Sequence, residues 1–403
     1  AHTIKEDTVK KDLLFVGTEF GLWISLDGGA RWAQFKGGEF PSVAVREVQI
    51  HPRDGDLVIA THGRGIWIVD DIAPLRALSD ELLQKTTAFL PARPVQQRMP
   101  ARGGWAEGDA TYSGDPTPNA AAITYYLRSR HIYGPIKLEV LDAAGKLVDT
   151  ITPSKRRGIN RVDWSMRVKP PQVPRAAQVA FAASQGPRVP PGTYTLRLTR
   201  GGEVVETKLA IGLDRRAPYS PADRKAQFEA VMKAHALFGD VTKLAARIDA
   251  ARDAVRDRMK GLPAGDELTK KLGAVADKLD AAKKQIVATT EGGAITGEER
   301  IREHLDQLYG ALDRWEGRPA RYKLERIDVL RRELGDVDKT VAAIVTKDAR
   351  ALDDELKQRK LSPLPQLSAL DGSGALDQLA LHCAATAGQD CEGDVAVATD
   401  ERD

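Results

Sequence analysis

Cysteine is nearly absent: Cys383 and Cys391 are the whole complement of a 403-residue chain, both near its C-terminal end, so disulfides cannot hold the body of the protein together. No apolar run approaches the roughly 20 residues that span a bilayer, and Ala1 to Asp12 lacks the basic, apolar and small-residue succession of a signal peptide. Charge of one sign is also missing. Sixty basic residues stand against 57 acidic ones, for a net charge of +3, and the two signs are mixed along the chain, which gives no electrostatic footprint for nucleic acid. The seven histidines show no metal-ligating spacing, and His382-Cys383 with Cys391 is a weak zinc signal. Neither a phosphate-cradling G-x-x-x-x-G-K-[ST] nor a G-x-S-x-G nucleophile elbow occurs. These absences imply no cofactor and no metal. What remains is an ordinary globular balance, 42% hydrophobic and 29% charged, on a chain long enough for two or three domains.

The strongest positive signal is a repeat. DLLFVGTEFGLWISLD, beginning at Asp12, recurs as DLVIATHGRGIWIVDD from Asp56, 44 residues on, with Asp12 over Asp56, Gly21 over Gly65, Trp23 over Trp67 and Asp27 over Asp71. A period of that length, made of short β-rich runs and Gly-rich turns, is the sequence form of a four-stranded propeller blade. Two blades cannot close a ring. The expectation is therefore that residues 1–78 are the terminal blades of a propeller completed by further blades, in cis in a longer protein or in a partner chain.

Beyond this region the text changes character three times. Residues 79–119, rich in proline and glycine, read as an irregular connection. Over 120–213 short alternating runs return (AITYYLRSR, IKLEVLDAAGKLVDTI, GINRVDWSMRV, PPGTYTLRLTRGGEVVETKLAIGL), predicting an Ig-like β-sandwich. Its expected core is Ile123, Tyr125, Leu127, Leu138, Val140, Val162, Trp164, Tyr194, Leu196 and Leu198. After Ser220-Pro221, an N-cap followed by proline at the first helical position, the apolar period lengthens to about three and a half. Four stripes over 220–358, the third introduced by a capping box at Thr296 and Glu299, predict an antiparallel four-helix bundle. Residues 362–403, mostly Ala, Gly, Ser and Asp after Pro363, read as a flexible tail. The fold class expected is multidomain β plus α.

Few residues suggest chemistry. Ser25, Asp27, Gly29 and Trp32 fit the Asp-box pattern S-x-D-x-G-x-x-W, a hairpin turn in which the aspartate accepts backbone N–H bonds, the glycines supply positive φ and the tryptophan packs between strands. That role is structural. His62-Gly63-Arg64-Gly65 places an imidazole and a guanidinium where one strand hands over to the next, suited to a carboxylate or phosphate ligand; pairing of Arg64 with Asp70 or Asp71 is the structural alternative. Glu19 occupies nearly the corresponding place in the first copy. Glycoside hydrolysis needs paired carboxylates, and the spacing of Glu19, Glu39, Asp54, Asp70 and Asp71 singles out no pair.

FVGTEFGLWISLDGG, VREVQIHPRDGDLVIATHGRGIWIVDD and PLRAL resemble the C-terminal part of bacterial Asp-box (BNR-repeat) propeller proteins, related to the sortilin/Vps10 ectodomain and often labelled glycosyl hydrolases. LEVLDAAGKLV, GINRVDWSMR and PPGTYTLRL resemble a FlgD-type immunoglobulin-like module. Arg31 stands where the Asp box often has threonine, which is expected to weaken the turn. The resemblance implies an exported protein, extracellular or periplasmic, whose propeller binds peptides or glycans without itself being catalytic in this region. The alternatives are part of a glycoside hydrolase whose catalytic carboxylates lie on blades outside this chain, and a subunit of a split propeller completed by a partner.

Overall fold

A computed structural model describes residues 1–99, 119–263, 265–290 and 298–364; Thr296, His382, Cys383 and Cys391 lie outside them. The chain is mixed β and α, with four sheets and a set of long helices, and divides into two units: 1–169 with 188–225, and 170–187 with 226–403.

The first unit opens with a four-stranded antiparallel sheet of β1 (Thr3–Glu6), β2 (Leu14–Thr18), β3 (Gly21–Ser25) and β4 (Ala33–Gln34). A second antiparallel sheet follows, of β5 (Val45–Ile50), β6 (Leu57–Thr61) and β7 (Ile66–Val69). Equivalent residues of the repeat build the core between them. Leu13 and Leu57, like Phe15 and Ile59, are almost wholly buried, together with Leu22, Val45, Val48 and Ile72. The sheets meet tightly at Gly17, where an added Cβ would stand 2.6 Å from the Val45 carbonyl oxygen of the second sheet and 2.7 Å from Thr3 of its own.

The two copies differ in one respect that sets which face is apolar and covered. The β2–β3 hairpin pairs Thr18 with Gly21 across Glu19-Phe20, whereas β6–β7 pairs Ala60 with Ile66 and closes from Thr61 N to Gly65 O across His62-Gly63-Arg64. The longer loop slips the register by one residue, and in a strand a slip of one exchanges the faces. Phe15 thus shares the inner face with Ile24, while Ile59 shares it with Trp67. Ile66 and Ile68 are turned outward, 71% and 59% exposed.

Two short helices, α1 (Ala73–Ala77) and α2 (Asp80–Gln84), lead out of this region. Arg76 of α1 reaches back 69 residues to Asp7, donating from Nε (2.9 Å) and Nη2 (2.8 Å) to its two carboxylate oxygens. Burial opposes the Asp7 charge, but Arg76 and the Lys10 backbone N–H outweigh it and hold the carboxyl below its ordinary value.

The stretch expected to be irregular contributes β8 (Thr87–Phe89) and β9 (Val95–Gln97). They extend two sheets made by β10 (Ala121–Leu127), β11 (Ile136–Leu141), β12 (Leu147–Ile151), β13 (Gly158–Trp164), β14 (Gly192–Arg200) and β15 (Glu203–Leu213). The orders are β13-β10-β8 and β12-β11-β14-β15-β9, antiparallel except for β15 with β9. Strands of three residues are too short to display an alternating pattern, which is why β8 and β9 escape a reading by periodicity. The ten expected core residues all lie in the cluster between these sheets, Val162 only partly buried.

The first turn of α3 (Pro221–Met259) belongs to the first unit and the rest, from 226, to the second; it begins with Ser220 and Asp223 capping one another, Ser220 Oγ accepting from Asp223 N at 3.2 Å and donating to Asp223 Oδ2 at 2.8 Å. It is followed by α4 (Glu267–Ile286), α5 (Ile301–Asp313), α6 (Arg321–Ala343) and α7 (Asp353–Gln358), with a π-helical stretch at Ile344–Ala349. The N-cap of α5 is Arg300, without a side-chain cap, and not the expected Thr296. Residues 170–187, which fall within the span 120–213 expected as the sandwich, belong to this second unit. Ala182 and Ala183 donate their backbone N–H groups to Asp306 at 3.3 and 2.8 Å, Tyr309 Oη donates to Gln185 O at 2.8 Å, and Ala182 sits against Gly310, where a Cβ would come within 2.8 Å. None of the described helices is long and apolar enough to cross a membrane.

Candidate functional site

Of the three residues expected to touch a ligand, the structure brings two together and adds two others. Glu19 sits at the tip of the β2–β3 hairpin, whose Thr18 Oγ1 donates to Gly21 O at 2.9 Å. His62 sits on the β6–β7 loop, closed in the same way by Thr61 Oγ1 donating to Gly65 O at 2.6 Å. Gly63 and Gly65 (φ 79° and 71°) supply the left-handed backbone that this loop needs.

Against the Glu19 tip lie His2 and Arg46. His2 Nε2 lies 2.5 Å from Glu19 Oε2, and Arg46 Nη1 stands 3.0 Å from His2 Nδ1 and 3.1 Å from Nε2, so the imidazole sits between the carboxylate and the guanidinium. Arg46 Nη2 stands 3.8 Å from Glu19 Oε1. The hydrogen bond from His2 is the main reason the Glu19 carboxyl lies below its ordinary range, with Arg46 and His62 adding to the effect. Arg46 reaches this position because the β5–β6 register breaks between Val45 and Glu47, making it the extra residue of a bulge. Bulges re-aim side chains in this way, and a bulge leaves no mark in residue types, so sequence spacing could not single out Arg46. His2 becomes visible only through the pairing of β1 with β2.

Arg64 shares the loop with His62, but its side chain forms no hydrogen bond or ion pair among the described residues. The expected alternative pairing with Asp70 or Asp71 is not formed. Asp71 is engaged elsewhere: at φ 55° its Oδ1 accepts from Ala73 N (3.1 Å) and its Oδ2 from Arg93 N (3.2 Å). The Arg64 carbonyl is held by Trp67 Nε1 at 3.0 Å, and the Trp67 ring meets Phe40 edge-on at 5.4 Å, so the loop is fixed while the guanidinium stays exposed. Phe20, beside Glu19, is 71% exposed.

The Asp-box residues occupy the other end of β3, about 17 Å along a five-residue strand from Glu19. Asp27 Oδ1 accepts from Arg31 N (2.8 Å) and Ser25 Oγ (2.9 Å), and Ser25 Oγ accepts from Gly29 N (2.9 Å). Arg31, rather than weakening the turn, closes it: its Nε donates to Asp27 Oδ2 at 2.7 Å, and this bond is the largest cause of the fall of the Asp27 pKa to about 2. Gly28 and Gly29 (φ 68° and 97°) carry the turn. Trp32 lies over Gly29 and is 37% exposed, so it covers the turn instead of packing between strands.

No group of three or more His, Cys, Asp or Glu able to hold a metal occurs among the described residues. In the second unit, a cavity of about 10 Å³ between Val255, Val275, Leu279, Val345 and Ala349 is apolar and no larger than one water. Asp54, another carboxylate considered from the sequence, is bound by its neighbour Arg53.

No family model matches the chain, and no curated protein matches it. Among solved structures it has a distant likeness to CopC from Methylosinus trichosporium OB3b, at 14% identity and a TM-score of 0.15, over 25% of this chain and 80% of that one.

Proposed function

We propose that residues 1–78 are two blades of an Asp-box propeller and that the chain is a non-catalytic recognition and scaffold region of an exported, sortilin-like protein. Support for the blades comes from the outward faces of the two sheets. On one lie Ile4, 65% exposed, with Leu14, Val16 and Trp23; on the other lie Val58, Ala60, Ile66 and Ile68. A pair of apolar faces on opposite sides of a packed pair of sheets is what neighbouring blades would cover, in cis or in a partner chain. The Ig-like reading of residues 120–213 rests on two sheets enclosing one core that buries Trp164.

The observation that carries the recognition reading is the grouping of His2, Arg46 and His62 around Glu19, with the unpaired guanidinium of Arg64 on the same loop as His62. Three nitrogen-bearing side chains about one carboxylate, beside an exposed phenylalanine, suit an anionic group on a peptide or glycan. Hydrolysis of a glycosidic bond needs two opposed carboxyl groups, and Glu19 has no such counterpart in this cluster. The test is titration of the protein with a peptide bearing a free C-terminal carboxylate, its amidated form, and a sialylated trisaccharide. Binding of the carboxylate forms that Arg64→Ala weakens at unchanged melting temperature is the expected result. Equal binding of the amidated peptide, or a strongly destabilised Arg64→Ala protein, would contradict it.

A further inference from the structure

Five basic residues and no acidic one occupy two neighbouring loops at one end of the β8–β15 region. The β10–β11 loop, 128–135, reads RSRHIYGP and the β12–β13 loop, 152–157, reads TPSKRR. They are 24 residues apart from first residue to first residue, which hides the cluster in a chain of balanced charge. Folding joins them: His131 N donates to Lys155 O at 3.0 Å. Among the described residues no ion pair engages Arg128, Arg130, Lys155, Arg156 or Arg157, all of them exposed; the Arg128 guanidinium donates to the Gln84 carbonyl at 3.1 Å.

The same loops expose apolar surface. Ile132 is 66% and Tyr133 88% exposed, at the tip of the β10–β11 loop. Their exposure is built in. Directly before them His131 is buried, its Nε2 donating to Gly134 O at 2.9 Å while Nδ1 accepts from Arg200 Nε at 3.4 Å. Arg200 Nη2 also binds Ser129 Oγ at 2.9 Å, and behind the second loop Tyr125 Oη donates to Ser154 O at 2.6 Å. A loop braced this firmly from behind holds its isoleucine and tyrosine out in water.

We propose that this end of the molecule docks on an anionic lipid bilayer, with Arg128, Arg130, Lys155, Arg156 and Arg157 over the headgroup phosphates and Ile132 and Tyr133 inserted at the interface. Charge complementarity alone would suit any polyanion; the isoleucine selects the lipid. An aliphatic side chain gains nothing against phosphates or sulfates in water, whereas an aliphatic residue next to a tyrosine, ringed by arginines and lysines, matches the layering of a membrane interface.

Co-sedimentation of the full chain with vesicles of phosphatidylcholine alone and of phosphatidylcholine with phosphatidylglycerol tests this. Binding is expected only with phosphatidylglycerol, falling as salt rises. Each cation removed (Arg130→Ala, Lys155→Ala, Arg156→Ala) should lower partitioning about fivefold, and Ile132→Ser with Tyr133→Ser roughly tenfold or more, all at unchanged melting temperature because these side chains are exposed. Absence of binding to the anionic vesicles would overturn the proposal. So would binding that survives the loss of Ile132 and Tyr133 and is competed equally by heparin or an oligonucleotide, which would identify a soluble polyanion as the partner.

Discussion

Asp27 shows how a single residue can be motif-bearing and structural at once. Its carboxylate accepts from Ser25 Oγ, from the Arg31 backbone N–H and from Arg31 Nε, so the turn itself accounts for both of its oxygens. Its pKa of about 2 in the folded protein lies below the ordinary value near 4 of an unfolded chain. The folded state therefore binds fewer protons, and this contribution to stability is complete above about pH 4 and is lost as pH falls through about 2. Asp27→Asn is expected to flatten the acid limb of the melting temperature against pH over that interval, leaving the neutral limb parallel to the parent; parallel acid limbs would show that the Asp27–Arg31 pair does not persist in solution. Arg31 also marks a limit of reading from residues. As a departure from the motif it suggested a weaker turn, and only the geometry shows its side chain substituting a charged bond for the one lost.

At the scale of elements, the joints between strands and helices carry the strongest expectations. Gly17 is a point of tight approach between the first two sheets, and Gly17→Ala has no room to accommodate a methyl group against the backbone oxygen of Val45. Overpacking of this kind costs about 1–3 kcal/mol, measurable by urea unfolding; a neutral change would mean the sheets separate readily. The pair of buried Asp7 and half-buried Arg76 ties the end of β1 to α1. Removing one partner strands the other in a low-dielectric site, so Arg76→Ala should destabilise the region by about 3–5 kcal/mol, far more than an exposed pair such as Arg321–Glu325. Trp67→Ala, by freeing the Arg64 carbonyl and removing the ring from Phe40, should cost about 3 kcal/mol.

How much of this was legible depends on length and on locality. The repeat exposed two hairpins, and alternation exposed the longer strands of the β8–β15 region, because both patterns repeat within one element. Ser220-Pro221 announced the start of α3 because a cap is a local event. The β8 and β9 strands were hidden by their brevity, the outward turn of Ile66 and Ile68 by a one-residue difference in loop length, and the His2–Glu19–Arg46 cluster by a bulge and a strand pairing. All three depend on which segments meet, which residue types alone do not state.

For the whole molecule, the units interleave in sequence: 170–187 leaves the first unit and packs against α5 before the chain returns. A chain of residues 226–364 lacks the partners of Asp306 and Tyr309 and uncovers Gly310. It is expected to melt well below the same helices in the intact protein, and equal melting temperatures would show the 170–187 segment to be dispensable. The outward apolar faces make the larger claim, that further polypeptide flanks both sheets. The direct test is to recover the native protein from its source with an antibody against the helical unit, measure its denatured mass and everything that co-purifies, and follow hydrogen exchange in β1 and β7. A species well above 43.9 kDa, or one near it with a stoichiometric partner, with both strands protected, is the expected result. A lone species of 43.9 kDa whose β1 and β7 exchange freely would contradict the propeller reading.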